Sequence, residues 1–316
     1  MTDNRSVLGK GVFESVVCSN KQIGERFYRL GLEFSGAGAE AFGGVKAGQF
    51  AQLDLSGTAL PTAEAIPEDL VDAARRGIIL RRPFSFCDVT RKDNKTRVEI
   101  LYCVLGPATL RMTTLSAGDR VSVIGPLGRG FTVPEGKGTA LLVAGGMGAG
   151  PLLHLAKVLT AEVPRMDVIA FAGAQSKTEL PFERPLDEIS QNLGFSLGEF
   201  ADHGVRSHVA TDDGTAGHEG LVTDCFSKWL GQQNLAAKDT IIYACGPEAM
   251  LAQVAEIAKN KGIDCEVSME RRMACGIGLC QSCAVECRVN GSNRTIYKLC
   301  CEDGPVFDGQ EVVFGS

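Results

Sequence analysis

Thr139-Ala140-Leu141-Leu142-Val143-Ala144-Gly145-Gly146-Met147-Gly148-Ala149-Gly150-Pro151 reads as a buried strand running into a glycine-rich turn and then a helix. An unbroken apolar run bounded by glycines is the pattern of a strand covered on both faces. The helix it feeds is expected over Pro151–Val163. The same alternation recurs downstream, with strands at Asp167–Ala172 and Thr240–Ala244, a helix at Glu248–Lys261 and a last strand at Asp264–Met269. Strands alternating with helices predict a parallel sheet with helices on both faces over residues 136–270.

Residues 1–135 have a different rhythm. Short alternating or apolar runs at Gly11–Cys18, Phe27–Leu32, Gln49–Leu53, Arg97–Val104 and Arg120–Ile124 are separated by turn-forming residues. This spacing predicts an antiparallel barrel or sandwich. An interruption at about 57–77 turns helical from Pro67 onward, with Glu68 and Asp69 in its first turn, and is expected as an inserted surface helix. Residues 271–316 form a third, cysteine-rich piece.

The chain has 316 residues, 44% hydrophobic and 22% charged, with net charge −6. That suits a soluble protein of two domains and a small appendage. The acidic balance and the lack of a basic run argue against a nucleic-acid partner. The uncharged stretch Thr139–Ala156 holds four glycines, Pro151 and His154, so a strand–turn–helix is expected there and no membrane span. Met1–Lys10 is polar where a signal peptide needs an apolar core, which leads to an expectation of cytoplasmic location.

Of twelve cysteines, six lie between Cys275 and Cys301. The spacing Cys275-x4-Cys280-x2-Cys283, followed by Cys300-Cys301, matches the plant-type C-x4-C-x2-C…C arrangement that holds a [2Fe–2S] cluster. Gly276 and Gly278 let the loop curl around such a group and approach it with backbone. A structural zinc site is the alternative, but it ordinarily uses C-x2-C pairs. On spacing alone the fourth ligand is open between Cys300 and Cys301. Cys287, in the strand-like run Ala284–Val289, is a more distant choice.

Other signals are individually weak. Arg82-Pro83-Phe84-Ser85, after the strand-like run Ile78–Leu80, offers a cation for a diphosphate and a hydroxyl for a ring. Gly106-Pro107-Ala108-Thr109 opens a helix expected over Leu110–Leu115, whose first amides suit phosphate oxygens. Gly145, Gly146 and Gly148 join a strand to a helix without forming the strict G-x-G-x-x-G fingerprint. Cys245-Gly246-Pro247 sits at the carboxyl end of a strand, where open α/β sheets bind ligands.

Taken in order, these features resemble the ferredoxin-reductase-type flavoproteins, which carry R-x-[YF]-[ST], GG-x-G and CGP in this sequence order. Within that group the chain resembles the electron-transfer subunits of class 1B dihydroorotate dehydrogenase. Glu270-Arg271-Arg272-Met273-Ala274-Cys275-Gly276-Ile277-Gly278-Leu279-Cys280 and Cys301-Glu302-Asp303-Gly304-Pro305-Val306-Phe307 carry that likeness, which spans nearly the whole chain outside the insertion.

The resemblance implies an FAD-binding β-barrel (1–135), a nicotinamide-binding α/β domain (136–270) and a [2Fe–2S] domain (271–316). It implies FAD contacts at Arg82, Pro83, Phe84, Ser85, Leu101, Tyr102, Cys103, Ala108 and Thr109. NAD(H) contacts would fall at Gly145, Gly146, Gly148, Cys245, Gly246 and Pro247, with Cys245 acting catalytically by positioning nicotinamide. It chooses Cys275, Cys280, Cys283 and Cys301 as cluster ligands. Relatives commonly have G-x-G-T where Ala108 here adds a methyl.

The implied partner is an FMN-containing catalytic subunit in a heterotetramer that oxidises dihydroorotate in pyrimidine biosynthesis. Two rival readings share the residues. One is the small subunit of an NADH-dependent ferredoxin:NADP oxidoreductase or a sulfide dehydrogenase. The other is a non-enzymatic iron–sulfur or zinc redox sensor.

Overall fold

A computed structural model describes residues 10–182, 197–289 and 294–315. Most of Met1–Lys10 and the turn Asn290–Asn293, both read from sequence, lie outside the described residues.

The N-terminal part is a seven-stranded antiparallel sheet of β1 (Gly11–Gln22), β2 (Phe27–Phe34), β3 (Phe50–Leu53), β4 (Arg82–Ser85), β5 (Asp88–Lys92), β6 (Lys95–Cys103) and β7 (Arg120–Leu127). Their order is β4-β3-β7-β1-β2-β6-β5. The two outermost strands, β4 and β5, are joined by Phe86 and Cys87 alone, so the sheet must curl until its ends meet. Its interior is filled by Phe34, Phe42, Phe86, Ile100, Tyr102 and their neighbours, with Phe34 and Phe42 stacked at 3.9 Å.

Two expectations shift here. The strand is Arg82–Ser85 itself, and the Ile78–Leu80 run before it is irregular. Ile78 anchors in the barrel core while Ile79 is 93% exposed, and the run pairs with no strand. The insertion is helical only in short turns, at Ala63–Ala65, Glu68–Leu70 and Val71–Ala74. It is anchored where Arg26 grips Asp69 through both nitrogens, at 2.8 and 2.6 Å.

The second sheet contains β8 (Thr139–Gly145), β9 (Asp167–Ala174), β10 (Arg206–Thr211), β11 (His218–Glu219), β12 (Thr240–Cys245) and β13 (Asp264–Ser268), all parallel. Alternate residues serve opposite faces, as strand geometry requires. Leu141, Val143, Ile242 and Ala244 pack under the helices Val222–Gly231 and Glu248–Lys261. Ala140, Leu142, Ile241 and Tyr243 pack under Ala149–Glu162. Both faces are therefore dry, which is why these strands read as continuous apolar runs.

The cysteine-rich segment contributes a hairpin, β14 (Ala284–Arg288) with β15 (Thr295–Leu299), and then β16 (Val306–Asp308), which pairs antiparallel with β13. Gly304 and Pro305 form a three-way junction. Arg129 N, from the barrel, donates to the Gly304 carbonyl, while Met269 N, from the parallel sheet, donates to the Pro305 carbonyl at 2.8 Å. Cys283, Cys287, Cys300 and Cys301 share one buried cluster with Val267, Val254 and the barrel residues Phe50 and Leu127.

Lys157, on the helix that follows the glycine loop, ties this domain to the barrel. Its ammonium reaches Asp88 Oδ1 at 2.5 Å, the Val89 carbonyl at 2.9 Å and Thr90 Oγ1 at 3.2 Å. Lys157→Met is expected to destabilise the chain by about 1–3 kcal/mol in urea unfolding, since three acceptors lose a charged donor. Arg206→Met, which breaks the more exposed pair with Asp167, should cost much less. Equal losses in the two variants would contradict this account.

Candidate functional site

Two cavities open between the barrel and the parallel-sheet domain, and the inner one also reaches the cysteine-rich piece. The inner one, about 620 Å³, is lined by Pro83, Phe84 and Ser85 of β4, by Leu101–Cys103 of β6, by Thr109, and by the loops after β8, β12 and β13. The outer one, about 810 Å³, runs along the carboxyl ends of β8, β9 and β10. They share Cys103, Leu105, Gly145, Gly146, Met147 and Pro247 as a common wall.

That wall rests on two loops pressed together. A Cβ on Gly148 would lie 2.0 Å from the Cys245 carbonyl oxygen and 2.3 Å from its carbon. A side chain at this position would force the loops after β8 and β12 apart. Glu248, just beyond the second loop, holds Arg271 in a two-pronged ion pair at 2.8 and 3.2 Å. This explains why the C-G-P-E and E-R-R-M segments occur together: one carboxylate fixes the irregular segment that leads into the cysteine loop.

Not every residue expected here faces the cavity. Arg82 lies outside both cavities, its guanidinium turned back to the Leu80 carbonyl at 2.6 Å. Ala108 is buried in the barrel core instead of facing a ligand, because the helix Pro107–Met112 begins three residues earlier than expected and rotates that methyl inward. Thr109 Oγ1 accepts from the amides of Leu105 and Gly106 at 2.9 and 3.1 Å, so it holds the turn. The Tyr102 ring belongs to the barrel core and donates from its hydroxyl to Asn20 at 3.1 Å.

Cys245 is half-buried in the inner cavity's lining and turns its thiol toward Ser268 on the neighbouring strand. Burial pushes the thiol up to about 12, and the Ser268 hydrogen bond offsets this only in part. It is therefore a neutral thiol at any physiological pH and no nucleophile.

Sequence reasoning missed Glu179, Asp212, Thr223 and Gln253 at the outer cavity's far end. Asp212 follows β10, a strand whose Arg, Ser and His residues hid it from an apolar-run reading.

The cysteine loop is shaped for a buried anionic group. Gly276 and Gly278 have φ of +71° and +83°, a conformation that glycine adopts without strain. Cys275 Sγ accepts from the amides of Ile277 and Cys280, each at 3.4 Å, and Cys301 Sγ accepts from Gly278 N at 3.2 Å. The Ser282 hydroxyl and amide, with Cys275, draw Cys280 down to about 6, favouring the thiolate that binds metal. Cys300 points the other way, its thiol donating to the Met269 carbonyl at 3.3 Å. Four thiols, three of them with hydrogen-bond donors aimed at sulfur, fit an iron–sulfur cluster in donor chemistry. Among the described residues, no three His, Cys, Asp or Glu side chains are placed to hold a single metal ion.

Known proteins agree with this geometry. Residues 270–313 match the iron–sulfur cluster binding domain of dihydroorotate dehydrogenase B, and residues 142–256 match the oxidoreductase NAD-binding domain. The electron-transfer subunit of dihydroorotate dehydrogenase B (NAD(+)) from Caldanaerobacter subterraneus subsp. tengcongensis is 32% identical over 94% of this chain and 97% of its own length. Its counterpart from Bacillus caldolyticus is 36% identical over 94% and 96%.

The chain belongs to this family of electron-transfer subunits.

In fold, a chain of the NADH-dependent reduced ferredoxin–NADP oxidoreductase superposes with TM-score 0.69 at 25% identity, covering 95% of this chain and 90% of that one. The Neisseria gonorrhoeae ferredoxin NADP⁺ reductase, solved with FAD and NADP, shares the fold at TM-score 0.55 and 17% identity, over 83% of this chain and 95% of its own. Among the described residues no helix is long and apolar enough to cross a membrane.

Gly148→Ala is expected to lower Tm and to weaken NADH binding measured by calorimetry. A Cβ cannot fit against the Cys245 carbonyl unless the loops separate. Wild-type affinity and Tm would show that the loops part freely.

Proposed function

We propose that this chain carries electrons between the FMN of a catalytic partner subunit and NAD⁺, through a [2Fe–2S] cluster and FAD, in support of dihydroorotate oxidation to orotate. The observation that carries this reading is the common wall of the two cavities. A ring seated in the inner cavity and a nicotinamide entering from the outer one would meet across Gly145, Gly146, Met147 and Cys103.

When bound, FAD exchanges a hydride with nicotinamide and single electrons with iron–sulfur centres. This chain supplies the positioning. Pro83, Phe84, Ser85 and Leu101–Cys103 would hold the flavin. Arg82, released from the Leu80 carbonyl, would meet its diphosphate. Gly145, Gly146, Gly148, Gly246 and Pro247 would let the dinucleotide approach backbone. Cys245, neutral and half-buried, would present an uncharged surface beside the reacting rings. Glu179 and Asp212 at the outer cavity's far end favour NAD(H), since carboxylates repel a 2′-phosphate.

Cys275, Cys280, Cys283 and Cys301 are the proposed cluster ligands. Ile277 and Leu279, exposed on that loop at 39% and 78%, give the partner an apolar surface to cover. The units are taken as residues 1–135, 136–270 and 271–316, in a cytoplasmic heterotetramer.

The fold likeness to a chain of the ferredoxin–NADP oxidoreductase favours a second reading, a small subunit of that kind of complex. Co-purification of the native partner separates the two. Alone, the loaded chain is expected to reduce artificial acceptors with NADH and to form no orotate from dihydroorotate. Orotate formation by the isolated chain would overturn the division of labour.

Cys301→Ser should abolish or distort the cluster's visible and EPR signals, while Cys300→Ser should leave them nearly unchanged. The reverse pattern would move the ligand register by one residue.

A further inference from the structure

Gln52 is a fully buried amide for which nothing so far accounts. It lies on β3, between Pro83 of β4 and Ile124 of β7, with 0% of its surface exposed. Neither Nε2 nor Oε1 has a hydrogen-bond partner among the described residues. Such a group is rare in a folded protein, because burial strips its water and returns nothing. The position is the more unusual for its neighbours. Ala51 and Leu53, on either side, are fully buried apolar residues, and an apolar side chain would suit the barrel wall better.

The amide is aimed at the cysteine loop. A Cβ on Gly276 would fall 2.3 Å from Gln52 Nε2, 2.7 Å from its Cγ and 2.9 Å from its Cδ. The side chain therefore lies flat against the one residue that separates Cys275 from Ile277. It is not among the residues lining either cavity, so it addresses the loop and not the flavin side of β4. Gly276 is held at φ +71°, and any side chain there would collide with this amide.

We infer that Gln52 donates an N–H hydrogen bond to the sulfur of the cluster held by this loop, and thereby sets its reduction potential. The inference rests on the cluster assignment proposed above. Cysteinyl and inorganic sulfurs of such a group carry negative charge and accept hydrogen bonds, which would satisfy the buried amide. Reduction adds a further negative charge, so a donor aimed at sulfur favours the reduced form and raises the potential. The backbone amides of Ile277, Gly278 and Cys280 already act in this way within the loop. Gln52 would be the contribution from the barrel, placing control of the cluster on the domain that is expected to hold the flavin.

The test uses the full chain loaded with FAD and cluster. Gln52→Met keeps the length and removes the donors, and Gln52→Glu keeps the shape. EPR-monitored redox titration then reads cluster and flavin together. Both variants are expected to retain the cluster and to move its reduction equilibrium about tenfold toward the oxidised form, 59 mV for a one-electron couple. The flavin midpoint should stay where it is. An unchanged cluster potential in either variant that carries the cluster overturns the inference, and the amide then serves a buried water alone. A shift confined to the flavin overturns it equally. Absence of a [2Fe–2S] signal from the wild-type protein would be a different failure, that of the cluster reading itself.

Discussion

Everything in this molecule depends on how the chain near Gly304 and Pro305 is held. One carbonyl takes a hydrogen bond from the barrel at Arg129, and the next takes one from the parallel sheet at Met269. These bonds lie just after Cys301 and just before β16. The cysteine loop is thus not a pendant appendage. It is stitched to both larger domains within a few residues of the sulfur that would complete the cluster. Electron transfer between two centres requires a fixed separation, and the junction supplies it with backbone hydrogen bonds, which any side-chain sequence can make. Glu248 and Arg271 clamp the other end of the same segment.

A second constraint governs the cavities. The loops after β8 and β12 touch at Gly148 and Cys245, where no space remains for a Cβ. Because the sheet is parallel, both loops emerge at the same edge, and their contact builds a wall with a cavity on each side. The outer side is framed by strand ends and the inner side by barrel strands. The neutral thiol of Cys245 lines the inner cavity beside that wall, half-buried and hydrogen-bonded to Ser268, where an ionised group would be costly.

Much of this was legible in the chain itself, because the informative signals are local. Thr139–Gly150 announces a buried strand and a ligand-facing turn through its own composition. Cys275, Cys280 and Cys283 with their glycines point to a cluster by spacing, while the choice between Cys300 and Cys301 came only from the family resemblance. Features fixed by distant contacts were not legible. Ala108 turned inward because its helix starts at Pro107, a boundary that propensity places poorly. β10 escaped notice because Arg206, Ser207 and His208 break its apolar run. β16 is only three residues long and exists because β13 offers it a partner. Gln52 looks like an ordinary strand residue until Gly276, 224 positions later, is laid against it.

The pairing of β16 with β13 also bears on how the protein keeps apart from its own copies. Without those three residues, β13 would end the parallel sheet with a row of unpaired amides and carbonyls, a surface that recruits strands from other molecules. The chain covers that border with the same segment that carries its last cysteines. Docking of the last cysteine segment and protection from self-association are therefore linked in this chain. A copy in which Val306–Asp308 has come loose from β13 would present that border to its neighbours.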